Sequence, residues 1–198
     1  MQTHFSFMKL IFATHNKNKL DEVAKITPEH IEVYSLSQIG FNEDIPETEL
    51  TLEGNAKLKV DAILKNKNVN CFSDDSGLFV EALNGEPGVF SARYSGKRDT
   101  TMNNELLVRN MQGAQSRSAY YMSVFCLYFN GTYHFFEGRL YGEIASHPKG
   151  NNGFGYDPIF IPKGYTATLG ELSEKIKLEL SHRTRALNKM IDFLALNS

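Results

Sequence analysis

Apolar residues in this chain fall into two patterns: short continuous runs, and stretches where they recur every three or four positions. Lys9-Leu10-Ile11-Phe12-Ala13 predicts a buried first strand, and Leu20, Val23 and Ala24 share one face of a helix that follows the polar turn 14–19. Residues 31–36 predict a second strand, and 40–50 an acidic loop. Thr51 caps a helix to about Asn66, with Ala56, Val60, Ile63 and Leu64 as its stripe. Cys71-Phe72 reads as the end of a buried strand, after which Gly77 allows a tight turn or a close backbone approach and Leu78-Phe79-Val80 a short return strand. Asp99 or Thr100 caps a helix carrying Leu106, Leu107 and Met111. Residues 118–129 form a long aromatic strand, Asn130-Gly131 a hairpin turn, 132–138 the return strand with 141–145 as a possible extension, and 159–161 a short strand. Ser181 caps a final helix with the stripe Ala186, Leu187, Met190, Ile191 and Leu194. Strands interleaved with helices in this way indicate an α/β domain with a mixed sheet, one domain over 1–198 with residues 1–7 as an extension before Met8.

The chemistry sits between these elements. Asp74 and Asp75 are adjacent and followed by Ser76-Gly77, and two neighbouring carboxylates repel unless something offsets them. A divalent cation with a phosphate is one solution, and a solvated acidic turn is the other. The turn Thr14-His15-Asn16-Lys17-Asn18-Lys19 joins a strand to a helix N-terminus, where free N–H groups and the helix dipole favour an anion. It is not a Walker loop, because the glycines and the Gly-Lys-Ser/Thr ending are missing. The stretch 148–158 sets Phe154 and Tyr156 among glycines beside Asp157, a shelf for stacking a base with a carboxylate to read its edge. His182 and Arg183 start the last helix, where cations oppose the dipole unless they face an anion or a base.

Composition narrows the choice. With 41% hydrophobic and 22% charged residues the chain is globular, and a net charge of −2 argues against a nucleic-acid polymer as partner. No apolar stretch approaches the ~18–20 residues needed to span a bilayer, and the N-terminus lacks a signal-peptide layout. Two cysteines in apolar runs, Cys71 and Cys126, fit buried free thiols in a cytoplasmic protein. Lysines on a βα turn, a carboxylate pair, an aromatic glycine loop and a His-Arg pair are the equipment for a nucleoside triphosphate and Mg²⁺.

In this order the motifs resemble the inosine triphosphate pyrophosphatase-like family, the dITP/XTP pyrophosphatases. The matching stretches are FATHNKNKLDEV (12–23), TLEGNAKLKV (51–60), SDDSGLFVEALNGEPGVFSARYSG (73–96), GNNGFGYDPIF (150–160) and SEKIKLELSHRTRAL (173–187). The resemblance implies an elongated mixed β-sheet flanked by helices, two lobes with a central cleft, and a homodimer. It implies Mg²⁺-dependent hydrolysis of deaminated purine triphosphates (dITP, ITP, XTP) to monophosphate and pyrophosphate. By motif position, Thr14, His15, Asn16, Lys17, Asn18 and Lys19 hold the triphosphate. Asp75 is proton acceptor and metal ligand, and Ser76 touches the substrate. Phe154, Gly155, Tyr156 and Asp157 line the base pocket, and Lys177, His182 and Arg183 complete the contacts. Where relatives carry Glu-Glu-Thr-Gly before the second helix, this chain has Pro46 at the ligand position, which leaves Glu47 as the substitute metal ligand. A related pyrophosphatase for pyrimidine or modified nucleotides is the alternative. A phosphomonoesterase would want Asp-x-Asp where Thr14-His15-Asn16 stands.

Overall fold

The computed structural model describes residues 7–65 and 67–197. Of the expected N-terminal extension only Phe7 is among them, and it is exposed; Asn66, the expected end of the second helix, lies outside the described residues. Among the described residues, seven strands and five α-helices follow one another as β1 (Met8–Phe12), α1 (Lys17–Ile26), β2 (Ile31–Ser35), α2 (Leu52–Leu64), β3 (Cys71–Val80), β4 (Pro87–Gly88), α3 (Thr100–Asn110), β5 (Ser118–Phe129), β6 (Thr132–Ile144), β7 (Phe160–Pro162), α4 (Glu174–Leu180) and α5 (His182–Asn197). The strands pair in the order β2-β1-β3-β5-β6-β7, with β4 against β3, and the sheet is mixed. The chain divides into two compact units, and β3, β5, β6 and α5 each contribute residues to both.

The first unit comprises the described residues up to Asp75, Val124–Glu137 and Thr184 onward. β1 runs parallel to β2, from Met8↔Ile31 to Phe12↔Ser35, and parallel to β3 at Ile11↔Cys71 and Phe12↔Phe72. Because side chains alternate along a strand, β1 feeds two cores. Leu10 and Phe12 pack with Phe72, Phe125 and the α5 stripe Ala186, Leu187, Met190 and Leu194. Ile11 and Ala13 pack with Ala56, Val60 and Ile63 of α2 and with Cys71 and Cys126. Phe12 stacks on Phe72 with centroids 4.5 Å apart, and Phe125 lies 6.1 Å from Phe72. Both cysteines are free, and burial pushes each thiol up to about 12. Covering β1 on both faces leaves its C-terminal end and the turn after it as the open place, where ligands of parallel α/β units bind.

The second unit comprises Ser76–Ser123 and Gly138–Arg183. Its core joins Leu78 and Val80 of β3, Leu107 of α3 and Met111 just after it, Tyr121, Ile144, Tyr156 and Phe160. Arg117 ties strand ends together by donating to the carbonyls of Ile144, Ala145 and Met111.

One sequence expectation changes. β3 is one continuous strand of ten residues, so Asp74 and Asp75 lie inside it and buried, rather than at a strand end or an acidic tip. The return strand β6 takes in the expected extension and runs unbroken to Ile144. Gly77 serves close approach within β3, not a turn: a Cβ there would lie 2.4 Å from the Gly88 carbonyl oxygen. Gly77→Ala is therefore expected to destabilise the protein by roughly 1–3 kcal/mol through backbone displacement of β4. A urea midpoint lowered at constant slope is the measurement, and an unchanged midpoint would show that β4 can yield.

Candidate active site

In the first unit the chain leaves β1 through Ala13, whose N–H donates to the Phe72 carbonyl at 2.7 Å. Asn16 caps α1, its side-chain oxygen accepting from the N–H groups of Asn18 and Lys19 at 3.0 and 3.4 Å. Thr14 Oγ1 accepts from the Asn16 N–H at 3.1 Å, so the turn holds its own shape. His15 lies within 3.0 Å of the Glu43 carbonyl, tying the turn to the acidic loop. Lys17 is exposed, whereas Lys19 reaches inward to Asp74 Oδ1 at 2.9 Å.

Beside this turn, oxygen donors converge on one cation. Lys59 Nζ lies 2.6 Å from Glu47 Oε1, 3.1 Å from the Asp74 carbonyl oxygen and 3.4 Å from Asp75 Oδ1. Asn55, one helical turn before Lys59, donates to Asp75 Oδ2 at 3.1 Å and accepts the Glu49 N–H at 2.9 Å. The carboxylate pair is thus offset by two lysines, Lys19 on Asp74 and Lys59 on Asp75. Burial works most strongly on Lys59 and would lower its pKa, but Asp75, Glu47 and Asp74 together outweigh it and hold the ammonium protonated. Asp75 is pushed the other way: burial raises it above the ordinary carboxylate range, Lys59 and Lys19 oppose that, and Glu47 and Asp74 add to it. The two shifts are consistent, because the same three carboxylates that attract Lys59 include two that repel Asp75.

In the second unit a different set assembles. Ser76 donates to Ser123 Oγ at 2.9 Å and accepts from Arg183 Nη2 at 3.4 Å. Ser181 Oγ accepts the Arg183 N–H at 3.2 Å, which fixes the start of α5. His182 stacks on Tyr121, centroids 4.8 Å apart and planes within 7°. Lys177 Nζ meets Asp157 Oδ2 at 2.7 Å, and the Phe154 N–H donates to the same oxygen at 3.3 Å. Burial, then the charge of Asp157, push the Tyr121 hydroxyl well above its usual range, and Arg183 opposes them.

The glycine loop differs from expectation in one respect. Phe154 is exposed, but Tyr156 is 4% exposed, its ring in the core and its hydroxyl donating to the Ser91 carbonyl at 2.8 Å. A tyrosine so anchored offers no face to a base, so only Phe154 provides a shelf. Asp157 Oδ2 is likewise engaged within the unit. Gly153 sits at φ +95, a conformation that L side chains rarely adopt, and a Cβ there would lie 2.0 Å from Asp157 Oδ2 and Lys177 Nζ, so both side-chain ends would have to move.

The sequence-derived residues therefore gather into two groups. Thr14–Lys19, Glu47 and Asp75 belong to the first unit, and Ser76, Phe154–Asp157, Lys177, His182 and Arg183 to the second. Asp75 and Ser76, one from each group, are joined by a peptide bond within β3.

A profile of the Ham1 family matches residues 10–193. The chain belongs to the Ham1 family. It is 46% identical over 187 residues to a dITP/XTP pyrophosphatase of Flavobacterium psychrophilum, covering 94% of this chain and 98% of that one. It is also 46% identical over 191 residues to a dITP/XTP pyrophosphatase of Porphyromonas gingivalis, covering 94% and 97%. A solved Ham1 protein of Staphylococcus aureus superposes with a TM-score of 0.89 at 36% identity, covering 96% of this chain and all of that one. In this Ham1-family chain, reading by motif passed over Asn55, Lys59 and Tyr121 as site residues. The first two were within reach: Leu52, Asn55, Ala56, Lys59, Val60 and Ile63 share the buried face of α2, where an amide and a lysine are out of place unless partnered. Tyr121 gave no local sign, because its partner His182 is 61 positions away (182 − 121) and only the folded chain brings the two rings together.

Proposed function

We propose that this chain hydrolyses the deaminated purine nucleotides dITP, ITP and XTP to the monophosphate and pyrophosphate. It does so with Mg²⁺, as a cytoplasmic homodimer that clears the nucleotide pool. The observation that carries the reading is the convergence of Glu47, Asp75 and the Asp74 carbonyl on the Lys59 ammonium. This is an all-oxygen environment that already favours a compact cation, the donor chemistry Mg²⁺ requires. Among the described residues no cluster of three His, Cys, Asp or Glu side chains forms a cage. Mg²⁺ commonly takes one or two carboxylates and completes its shell with phosphate oxygens and water, so Glu47 and Asp75 suffice as protein ligands. Bound there, it would screen the triphosphate charge and polarise the scissile phosphoryl group.

The chain's own residues do the rest. The exposed Lys17 and the capped start of α1, with its dipole, favour the phosphates, while Lys19 and Lys59 offset the carboxylates beside them. Asp75, which burial raises above the ordinary carboxylate range, is suited to take the proton of an attacking water. Phe154 offers an apolar face for the base, and the buried Arg183 offers N–H donors. Hypoxanthine and xanthine present an oxygen acceptor at position 6, where adenine presents an amino donor. A donor facing that position leaves unmade bonds when adenine binds, each costing roughly 1–3 kcal/mol. The names of the relatives, dITP/XTP pyrophosphatase, support the same substrate class.

Product analysis tests the proposal. Purified protein incubated with ITP and Mg²⁺ is expected to yield IMP and pyrophosphate, with no turnover in chelator. Inorganic phosphate with IDP, or intact ITP after long incubation, overturns it.

A further inference from the structure

Tyr121 stands on the inward side of β5 with Ala119 and Ser123, since side chains alternate along a strand and these three are buried. Its ring packs in the core of the second unit, 4.8 Å from that of Phe160. A buried hydroxyl is costly unless it has a partner, and an aliphatic side chain would fill a core without that cost. The Tyr156 N–H meets the need by donating to the Tyr121 hydroxyl. What the tyrosine supplies beyond packing is a flat face. The His182 imidazole lies on it, with centroids 4.8 Å apart and planes within 7°.

His182 is the first residue of α5. Side chains within a helix lie back over the turn before them, and at this position α5 has no earlier turn to offer. A contact from another element therefore bears on the plane of the imidazole, and β5 provides one. Stacking covers a face of the imidazole and leaves its edge, which carries both nitrogens, to hydrogen bonding. Two positions further along the same side of β5, Ser123 accepts from Ser76, and Ser76 accepts from Arg183 Nη2. His182 and Arg183, neighbours in α5, thus meet successive inward positions of β5, the first directly and the second through Ser76.

We propose that Tyr121 is a positioning residue: its ring sets the plane of the His182 imidazole at the nucleotide site, and its hydroxyl holds the glycine loop at Tyr156 in register with it. The inference rests on the proposed reading in which His182 and the 150–157 loop meet the nucleotide. Tyr121 acts through those two segments and not on the substrate. It makes β5 the template on which the loop and the start of α5, distant in sequence, take up one geometry.

The test is a double-mutant cycle on ITP hydrolysis with Mg²⁺, using Tyr121→Leu, His182→Ala and their combination, with Tyr121→Phe as the conservative variant. Tyr121→Leu is expected to raise KM for ITP on the order of tenfold with kcat within about threefold, the scale of one lost stacked ring. Tyr121→Phe keeps the ring and lacks the hydroxyl, and should raise KM less. Because the ring acts through His182, adding Tyr121→Leu to His182→Ala should raise KM far less than it does in the parent. Full additivity, equal losses in the Phe and Leu variants, or a parent KM in folded Tyr121→Leu overturns the proposal. Proton NMR gives a readout that does not depend on the leucine variant folding. The His182 ring protons, identified by their loss in His182→Ala, are expected upfield of those of exposed histidines in the parent and in Tyr121→Phe, since they lie over an aromatic face. Resonances that are not displaced overturn the proposal as well. An unchanged KM in His182→Ala removes this inference and leaves the activity itself, which product analysis on ITP decides separately.

Discussion

Asp75→Asn is expected to lower kcat for ITP by roughly 10²–10⁴-fold while the protein still folds and binds the nucleotide. The substitution keeps the shape of the side chain and an oxygen for the Asn55 amide to meet, and removes only the ability to accept a proton and to carry charge. Stopped turnover with retained ITP binding, measured by calorimetry, is the expected pair of results; near-normal kcat would remove Asp75 from the chemistry. The pH dependence has a definite sign. Burial raises Asp75 in the folded protein above its unfolded value, so the native state holds this proton more tightly. The stability contributed by the group is therefore complete below the ordinary carboxylate range and declines as pH rises through the raised folded value. In chelator, the parent protein should lose stability relative to Asp75→Asn over that window as pH rises. The acid limb of kcat/KM should move to lower pH as Mg²⁺ is increased, since metal and proton compete for the same oxygen. A limb indifferent to Mg²⁺ would place the metal elsewhere.

Lys59→Met has the second large effect, on stability as well as activity. The ammonium is buried and serves Glu47, Asp75 and the Asp74 carbonyl at once. Removing one partner of a buried ionic cluster costs about 3–5 kcal/mol, because the remaining charges are left uncompensated. For a chain of this size that corresponds to a fall in melting temperature on the order of 10 °C. Mg²⁺ should restore part of the loss, and restore more in the variant than in the parent, since it takes up the charge the lysine carried. A variant that melts with the parent and is indifferent to Mg²⁺ would show that the three oxygens do not form a cation site.

Much of the architecture was legible because it is written locally. The apolar run at 9–13, the Thr51 and Asp99 caps, the Asn130-Gly131 turn and the α5 stripe each depend on residues a few positions apart. The candidate site was legible as motifs, since Asp74-Asp75-Ser76, the 14–19 turn and the 150–157 loop are contiguous. What failed was reading burial from type: acidic residues beside a glycine look like a turn, yet Asp74 and Asp75 sit mid-strand because Lys19 and Lys59 arrive from other elements. Tyr156 looked like a shelf for a base and is a core residue, because its hydroxyl finds the Ser91 carbonyl 65 positions away.

By itself, the amino-acid order determined the succession of elements, the family, and which short segments are candidates to carry chemistry, since propensity, capping and hydrophobic period act over one or two turns of chain. The tertiary structure alone decided which lysine answers which carboxylate, which ring faces inward, and which ring His182 stacks on. Those are matters of partnership between residues distant in sequence, and a charge, a hydroxyl or an amide acquires its role only when burial removes water as its alternative partner.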